Sequence, residues 1–275
     1  MNTQHIGFIG GGNMAGSLIG GLVSSGYPAN KITVADLDAE KLAHLSDTFG
    51  VNVEQDASVL ALDVDILVLA VKPQHMQVAT EAVRQAVQQK KPVVVSIAAG
   101  IRIEVLRRWV GGDLPIVRCM PNTPALVKTA ATGLFANEQV SENQKDQVES
   151  LLGAVGVTVW VNAESELDVV TALSGSGPAY FFMMMEALEA AAVNAGLDPQ
   201  TAQLLTQETA LGAAKMALAS SESTAVLRQR VTSPGGTTER ALGVMNERGL
   251  ANIFQEALLA AKDRSIELSD ELGGK

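Results

Sequence analysis

Hydrophobic residues in the first part of the chain alternate between short unbroken runs and stretches of helical spacing. Runs of strand length occupy residues 6–9, 32–35, 65–71, 93–96, 116–120, 133–137 and 156–161, with helical spacing between them, as at 142–152. Nearly unbroken apolar runs are typical of strands buried on both faces of a parallel sheet. Strands that alternate with helices favour βαβ units. The pattern therefore predicts an α/β domain with a Rossmann-type doubly wound sheet over residues 1–161.

From Glu164 onward the apolar spacing is helical and does not return to strand length. We therefore expect a second, all-α domain over residues 162–275. Its helices are predicted at 179–195, 199–219, 224–231 and 252–268, with Pro178 in the first turn of the first one. That first helix is apolar nearly all round, including Phe181, Phe182 and Met183 to Met185. Because one small domain can hardly cover such a helix, the pattern predicts a second subunit, in a dimer or a larger closed assembly.

A glycine-rich turn joins the first predicted strand to the first predicted helix. Its sequence is Gly10-Gly11-Gly12-Asn13-Met14-Ala15, which matches the pattern G-x-G-x-x-A. Gly10 permits a tight turn, Gly12 lets the backbone approach a pyrophosphate, and the small Ala15 allows the helix to pack closely. Asp36 follows the second strand, where an acid usually binds the adenosine ribose. These features predict a dinucleotide site; a glycine-rich turn in another kind of doubly wound sheet is the alternative.

The loops after the later strands are expected to complete the cofactor crevice, because ligands bind beyond the carboxyl ends of parallel strands. The residues concerned are Ala70-Val71-Lys72-Pro73, Ala98 and Ala99, and Asn122 within Pro121-Asn122-Thr123-Pro124. The small alanines leave room for a flat ring, and Asn122 could hydrogen-bond the nicotinamide or the substrate. Each loop taken alone is also compatible with ordinary turn chemistry. Their shared position at successive strand ends indicates a site.

A second glycine-rich turn, Ser233-Pro234-Gly235-Gly236-Thr237-Thr238, leads into a helical pattern near the end of the chain. Successive backbone N–H groups and the positive end of the helix can converge there on a carboxylate. The hydroxyls of Ser233, Thr237 and Thr238 could orient the ligand or donate to a ring nitrogen. The segment predicts a site for a small acid. The alternative is a turn in which Thr237 or Thr238 merely caps the helix.

Composition excludes several classes of function. The 275 residues carry 30 acidic and 20 basic side chains, a formal charge of −10, and no basic cluster interleaved with aromatic residues, so nucleic acid is not an expected partner. Apolar runs are too short for a bilayer and no basic segment precedes an apolar core, so we expect a cytoplasmic protein without membrane contact. Cys119 is the single cysteine, which excludes an internal disulfide and a multi-cysteine zinc site. We expect a buried apolar thiol and no metal.

Five segments of the sequence resemble the pyrroline-5-carboxylate reductases, which make proline from its cyclic imine. They are residues 8–14, 70–73, 120–124, 174–180 and 233–238, and the resemblance covers nearly the whole chain. The first two segments are shared with many dehydrogenases, whereas the last two in this order are close to diagnostic. The resemblance implies a dinucleotide-binding domain followed by a helical dimerisation domain. It also implies homodimers, possibly grouped as a decamer of five dimers.

The resemblance further implies hydride transfer from NADPH or NADH to the imine carbon of 1-pyrroline-5-carboxylate, a cyclic imino acid. The cofactor would be bound by Gly10, Gly11, Gly12, Asn13, Met14, Asp36, Ala70, Val71, Lys72, Pro73, Ala98, Ala99 and Asn122. Ser233, Gly235, Gly236 and Thr237 would bind the substrate, with the carboxylate held by Ser233 and the amides of Gly236 and Thr237. Thr238 would be catalytic, because its hydroxyl would hydrogen-bond the ring nitrogen and align the face for transfer.

Two residues depart from this family's usual pattern. Its members commonly prefer NADPH, yet an acid at Asp36 would repel a 2′-phosphate and favour NADH. Ala57 stands where the resemblance implies an amide near the adenosine. Two other functions stay open at this point. One is a related imine or 3-hydroxy-acid reductase of the same architecture, for which Lys215 is a poor base because it lies on a helix beside apolar residues. The other is a non-catalytic dinucleotide sensor.

Overall fold

The structure is a computed structural model that describes residues 4–273, so the outermost residues of the two predicted domains, 1–3 and 274–275, lie outside it. The chain forms two compact units. The first contains the residues up to Ser176 together with those from Ala260 onward, and the second contains Gly177–Leu259. The predicted domain boundary at 161/162 stays a prediction. The change from sheet to helix falls close to it, since the last strand ends at Trp160.

The first unit is built on an eight-stranded sheet whose strand order is β3-β2-β1-β4-β5-β6-β7-β8. The strands are β1 Ile6–Ile9, β2 Ile32–Ala35, β3 Asn52–Glu54, β4 Ile66–Leu69, β5 Val93–Ser96, β6 Ile116–Met120, β7 Ala130–Ala136 and β8 Gly156–Trp160. All neighbouring strands are parallel except β6 and β7. The order reverses direction at β1, which is the mark of a doubly wound sheet. The predicted Rossmann-type fold is confirmed.

Between Asn13 and Val170, seven α-helices accompany the strands of the sheet. They are α1 Asn13–Ser24, α2 Ala39–Phe49, α3 Ala57–Asp63, α4 Met76–Lys90, α5 Ile103–Val110, α6 Glu142–Gly153 and α7 Glu166–Val170, after which a π-helical turn occupies Thr171–Gly175. Buried side chains form two cores, one around Phe8 and Leu18 and the other around Leu67 and Leu106. Phe8 pairs in register with Val68, and successive side chains of a strand point to opposite faces, so Leu67 lies on the other face from Phe8. The two cores therefore occupy the two faces of the sheet.

The helices after the π-helical turn are α8 Gly177–Asn194, α9 Pro199–Ala219, α10 Thr224–Arg230, α11 Thr237–Glu247 and α12 Leu250–Leu272. The last of these begins in the second unit and ends in the first. On α8 the residues Phe181, Phe182 and Met183 are 59%, 65% and 73% exposed in the single chain. The helix is therefore apolar on faces that this chain alone leaves in water, as the sequence pattern predicts.

A buried carboxylate attaches the end of α12 to α7 within the first unit. Ser265 on α12 donates its hydroxyl to the Asp168 carboxylate at 2.8 Å, and the Asp168 side chain is only 2% exposed. The guanidinium of Arg102 lies 3.5 Å from the other oxygen of Asp168. A buried carboxylate needs such partners, because desolvating it without them is costly. Asp168 thus joins three distant parts of the chain.

We expect Asp168→Ala to destabilise the protein by about 3 kcal/mol, since the substitution leaves the Ser265 hydroxyl and the Arg102 charge without their partner. The change is measured as the shift of the urea unfolding midpoint. Asp263→Ala, an exposed residue of the same α12, is the matched control and should shift the midpoint little. Equal shifts for the two variants would contradict the role given to Asp168.

Candidate active site

The glycine turn after β1 has the geometry that a dinucleotide requires. Gly10 has φ +101°, and a Cβ there would lie 2.8 Å from the Ala70 carbonyl oxygen, so only glycine fits. A Cβ on Gly12 would meet nothing within 4 Å. Gly12 is the N-cap of α1 and supplies no side-chain cap. The first-turn N–H groups of α1, including those of Asn13 and Met14, therefore have no helical partner and no side-chain cap, which fits a pyrophosphate.

Asp36 is held against the glycine turn by its backbone contacts. Its Oδ2 accepts the Gly11 N–H at 2.7 Å, and its Oδ1 accepts the Asp38 N–H at 2.9 Å. Each carboxylate oxygen has a second lone pair that can still accept a hydrogen bond from a ribose hydroxyl. The acid therefore stands at the predicted place beyond β2, in a fixed orientation.

The predicted loops gather at the same edge of the sheet. Ala70 donates its N–H to the Ile9 carbonyl at 2.8 Å, and a Cβ on Gly10 would lie 3.0 Å from the Val71 nitrogen. Lys72 and Pro73 follow in a short 3-10 turn before α4, with Lys72 exposed. Ala98 and Ala99 come after β5, which pairs in parallel with β4. The parallel pairing of these strands thus places the predicted loops at one edge of the sheet, and Ala57 begins α3, the helix that follows β3.

The Asn122 side chain links two backbone segments through hydrogen bonds. Its Nδ2 donates to the Ser174 carbonyl at 3.0 Å, and its Oδ1 accepts the Ala131 N–H at 2.9 Å. The side chain is largely buried, and it links the loop after β6 to β7 and to the π-helical turn. One amide hydrogen is left for a ligand. Contact between Asn122 and the nicotinamide stays a prediction.

The turn at Ser233 leads into α11 as the sequence pattern predicts. Gly235 has φ +72°, and Gly236 donates its N–H to the Ser233 carbonyl at 3.0 Å. Gly236 is the N-cap of α11 and no side chain caps the helix. Thr237 and Thr238 therefore lie inside the helix as its first two residues, and the alternative in which one of them caps it is wrong. Their N–H groups, like those of α1, have no helical partner.

Sequence reasoning missed Glu239, the third residue of α11. Its Oε2 accepts the Gly235 N–H at 2.7 Å. The amides of Gly235 and Gly236 are therefore both engaged inside the turn, whereas the amides of Thr237 and Thr238 are available. The signal was present in the sequence, because a Glu at the third helical position commonly reaches back to a free backbone N–H.

Other candidates for chemistry have structural roles. Burial raises the pKa of the Cys119 thiol well above its usual range, an effect that the nearby charge of Arg118 only partly offsets. The thiol is therefore protonated and buried, as expected. The His5 ring lies 2.9 Å from the Thr33 hydroxyl and 3.0 Å from an Asp63 carboxylate oxygen, so this ring is a packing group.

Across residues 4–273, no three His, Cys, Asp or Glu side chains cluster as metal ligands would. In the same part of the chain, every helix is too short or too polar to cross a bilayer.

A doubly wound sheet, an open glycine turn and a fixed acid after β2 define a dinucleotide-dependent oxidoreductase. Two family models match the chain in agreement with this class. Residues 5–100 match the model described as "NADP oxidoreductase coenzyme F420-dependent", and residues 164–268 match the model described as "Pyrroline-5-carboxylate reductase dimerisation". Pyrroline-5-carboxylate reductase from Pseudomonas aeruginosa is 48% identical over 273 residues, which cover 99% of this chain and all of that one. The Pasteurella multocida enzyme is 43% identical, with 98% of each chain covered.

Solved structures lead to the same family. A pyrroline-5-carboxylate reductase from Coxiella burnetii superposes with a TM-score of 0.95 at 47% identity, covering 98% of this chain and 99% of that chain. The Plasmodium falciparum pyrroline carboxylate reductase, solved with NADP bound, has a TM-score of 0.85 at 26% identity, covering 98% and 99%. The chain belongs to the pyrroline-5-carboxylate reductase family. The resemblance drawn from the five sequence segments is confirmed.

Two glycine substitutions should separate folding from cofactor binding. Gly10→Ala forces a Cβ against the Ala70 carbonyl at positive φ, so we expect a loss of about 2 kcal/mol or more in the free energy of unfolding. Gly12→Val places its side chain in open space, so stability should change by less than about 1 kcal/mol. The KM for the nicotinamide cofactor should nevertheless rise at least about tenfold, because the side chain fills the space for the pyrophosphate.

Urea unfolding and steady-state kinetics measure the two effects. A Gly12→Val protein that binds the cofactor normally would show that the pyrophosphate lies elsewhere.

Proposed function

We propose that the protein reduces 1-pyrroline-5-carboxylate to proline with NAD(P)H. The observation that carries the proposal is a matched pair of helices, one in each unit, that begin on a glycine without a side-chain cap. In α1 the open N-terminus follows Gly12 and suits a pyrophosphate; in α11 it follows Gly236 and suits a carboxylate. Membership of the family supports this reading of both sites.

The proposed cofactor site consists of the first-turn amides of α1, the Asp36 carboxylate for the ribose, and the loops at Ala70–Pro73 and Ala98–Ala99. When bound, the reduced nicotinamide supplies a hydride. Asn122 keeps the loop after β6 in place through its two backbone hydrogen bonds. The exit loops of β4, β5 and β6 would form the floor on which the nicotinamide ring lies.

In the proposed substrate site, the carboxylate is held by the N–H groups of Thr237 and Thr238 and by the Ser233 hydroxyl. This refines the sequence prediction, since the Gly236 N–H is already donated to the Ser233 carbonyl. The Thr238 hydroxyl hydrogen-bonds the ring nitrogen, whose protonation makes the imine carbon electrophilic. Orientation and electrostatic stabilisation then supply the acceleration, and no covalent intermediate is needed. Approach of this turn to the cofactor crevice within hydride distance stays a prediction.

The chain carries the dimerisation domain of its family at residues 164–268. We infer that the protein forms a homodimer in which a partner subunit covers the exposed face of α8, including Phe181, Phe182 and Met183. Burial of large apolar side chains is the main favourable term in stable subunit association. A decamer of five such dimers and a cytoplasmic location are further predictions.

The first test is oxidation of NADH and NADPH in the presence of 1-pyrroline-5-carboxylate. A reductase consumes the cofactor and forms proline, whereas a non-catalytic sensor shows no turnover. A 3-hydroxy-acid reductase would consume cofactor only with its own substrate class. Such a reductase would need a base, and Lys215 suits that role poorly because it is exposed on α9 between other exposed residues.

Thr238 and Ser233 should have separable kinetic roles. We expect Thr238→Ala to lower kcat about 100-fold, because the ring nitrogen loses its hydrogen bond in the transition state. Ser233→Ala should mainly raise the KM for the imino acid about tenfold, because it removes one hydrogen bond to a charged group. Thr238→Ser retains the hydroxyl and should recover most of kcat. Equal losses of kcat in the two alanine variants would contradict this division of roles.

Asp36 should set the preference between the two cofactors. Removing its charge in Asp36→Ser should raise kcat/KM for NADPH relative to NADH by about tenfold or more, since a carboxylate repels the 2′-phosphate. Asp38→Ser is the matched control. It changes the charge equally, but the Asp38 side chain is turned to the start of α2, where Ser can replace it as N-cap. The ratio of kcat/KM values should change little in that variant. An unchanged ratio in Asp36→Ser would place Asp36 outside the adenosine pocket.

A further inference from the structure

The Glu239 carboxylate closes a hydrogen bond across the start of α11. Its Oε2 lies 2.7 Å from the Gly235 nitrogen, and Glu239 is the third residue of the helix. The ordinary form of this contact occurs in α6, where the third residue, Gln144, accepts the N–H of the N-cap Ser141 at 2.9 Å. In α11 the acceptor reaches one residue further, to the residue before the N-cap. Glu239 therefore bridges the helix and the turn.

This bridge matters because little else restrains the turn. Gly235 and Gly236 have no side chains to pack, and a Cβ on Gly235 would meet nothing within 4 Å. Adjacent glycines lose more conformational freedom on ordering than any other pair of residues. Among the described residues, three hydrogen bonds of the two glycines oppose that loss: the bond from the Gly236 N–H to the Ser233 carbonyl at 3.0 Å, the bond from the Arg240 N–H to the Gly236 carbonyl at 3.2 Å, and the bond from the Gly235 N–H to Glu239. The bond to Glu239 is the one of the three that holds Gly235.

We propose that Glu239 is a positioning residue for the substrate carboxylate. The inference rests on the proposed function of the turn. By holding the Gly235 N–H, Glu239 keeps the peptide units before Thr237 and Thr238 in the orientation that aims their free N–H groups at one anion. A flexible turn would have to be ordered by the substrate itself, and that cost would appear as weaker binding.

In this role the Glu239 carboxylate acts as a hydrogen-bond acceptor for the Gly235 N–H, and its negative charge is not required. A negative group in the first turn does stabilise the helix, but it also repels a second carboxylate bound at the same terminus. A glutamine at this position would keep an oxygen acceptor for the Gly235 N–H and remove the repulsion. The two effects of Glu239 can therefore be separated by substitution.

Steady-state kinetics with 1-pyrroline-5-carboxylate test the proposal in three variants. Glu239→Ala should raise the KM for the imino acid about tenfold, with kcat changed less than about threefold and the KM for NADH unchanged. Glu239→Gln should stay within about twofold of the wild-type protein, because it keeps the acceptor. The control is Glu247→Ala, an exposed residue at the other end of α11 with the same change of charge. It should also stay within about twofold.

A second readout follows the hydrogen bond directly. Amide hydrogen exchange at Gly235 should become faster in Glu239→Ala and stay slow in Glu239→Gln and Glu247→Ala. An unchanged KM in Glu239→Ala, or a Glu239→Gln protein as impaired as Glu239→Ala, would overturn the inference while the proposed function stands. Absence of wild-type turnover would overturn the proposed function and this inference with it.

Discussion

The close approach of β1 to β4 is the constraint on which the first unit depends. Strand β1 lies between β2 and β4, paired in parallel with both. The chain leaving β1 must therefore turn between two neighbouring strand ends, where the Gly10 N–H bonds to the Ala35 carbonyl at 2.8 Å. A side chain at Gly10 would collide with the backbone of Ala70. That tight turn places the start of α1 at the predicted cofactor site and brings Asp36 against the Gly11 amide.

Both proposed anion sites depend on backbone groups that the fold leaves without helical partners. Several helices of this chain are capped by a side chain, as α2 is by Asp38 and α9 by Asp198. The helices α1 and α11 begin instead on Gly12 and Gly236. Local dipoles and N–H groups can thus attract anions in a chain whose formal net charge is −10. The overall charge sets long-range repulsion, whereas binding is decided within the first turn of a helix.

Polar side chains at the junctions of the first unit hold distant segments in place. Asn122 links the loop after β6 to β7 and to the π-helical turn, and Asp168 links α7 to Ser265 on α12. Such groups are costly to bury, so each is tolerated only where its partners are in position. Asn122 lies in the segment that follows β6, Asp168 contacts the segment that follows β5, and both segments also carry predicted cofactor loops. Stability of the unit and geometry of the site are consequently linked.

Sequence by itself determined the class of fold, the main strands, the glycine turn with Asp36, and the start of α11 at the second glycine-rich turn. These features are local, since a buried run, a turn glycine or a helix start is encoded by adjacent residues. Tertiary structure decided that β3 joins the edge of the sheet and that β7 runs antiparallel to β6. It likewise decided that the side chains of Asn122 and Asp168 form hydrogen bonds with distant segments of the chain. It also decided which amides of the Ser233 turn remain free. Those outcomes depend on partners that only the folded chain brings within hydrogen-bonding distance, and such pairings leave no periodic pattern in the sequence.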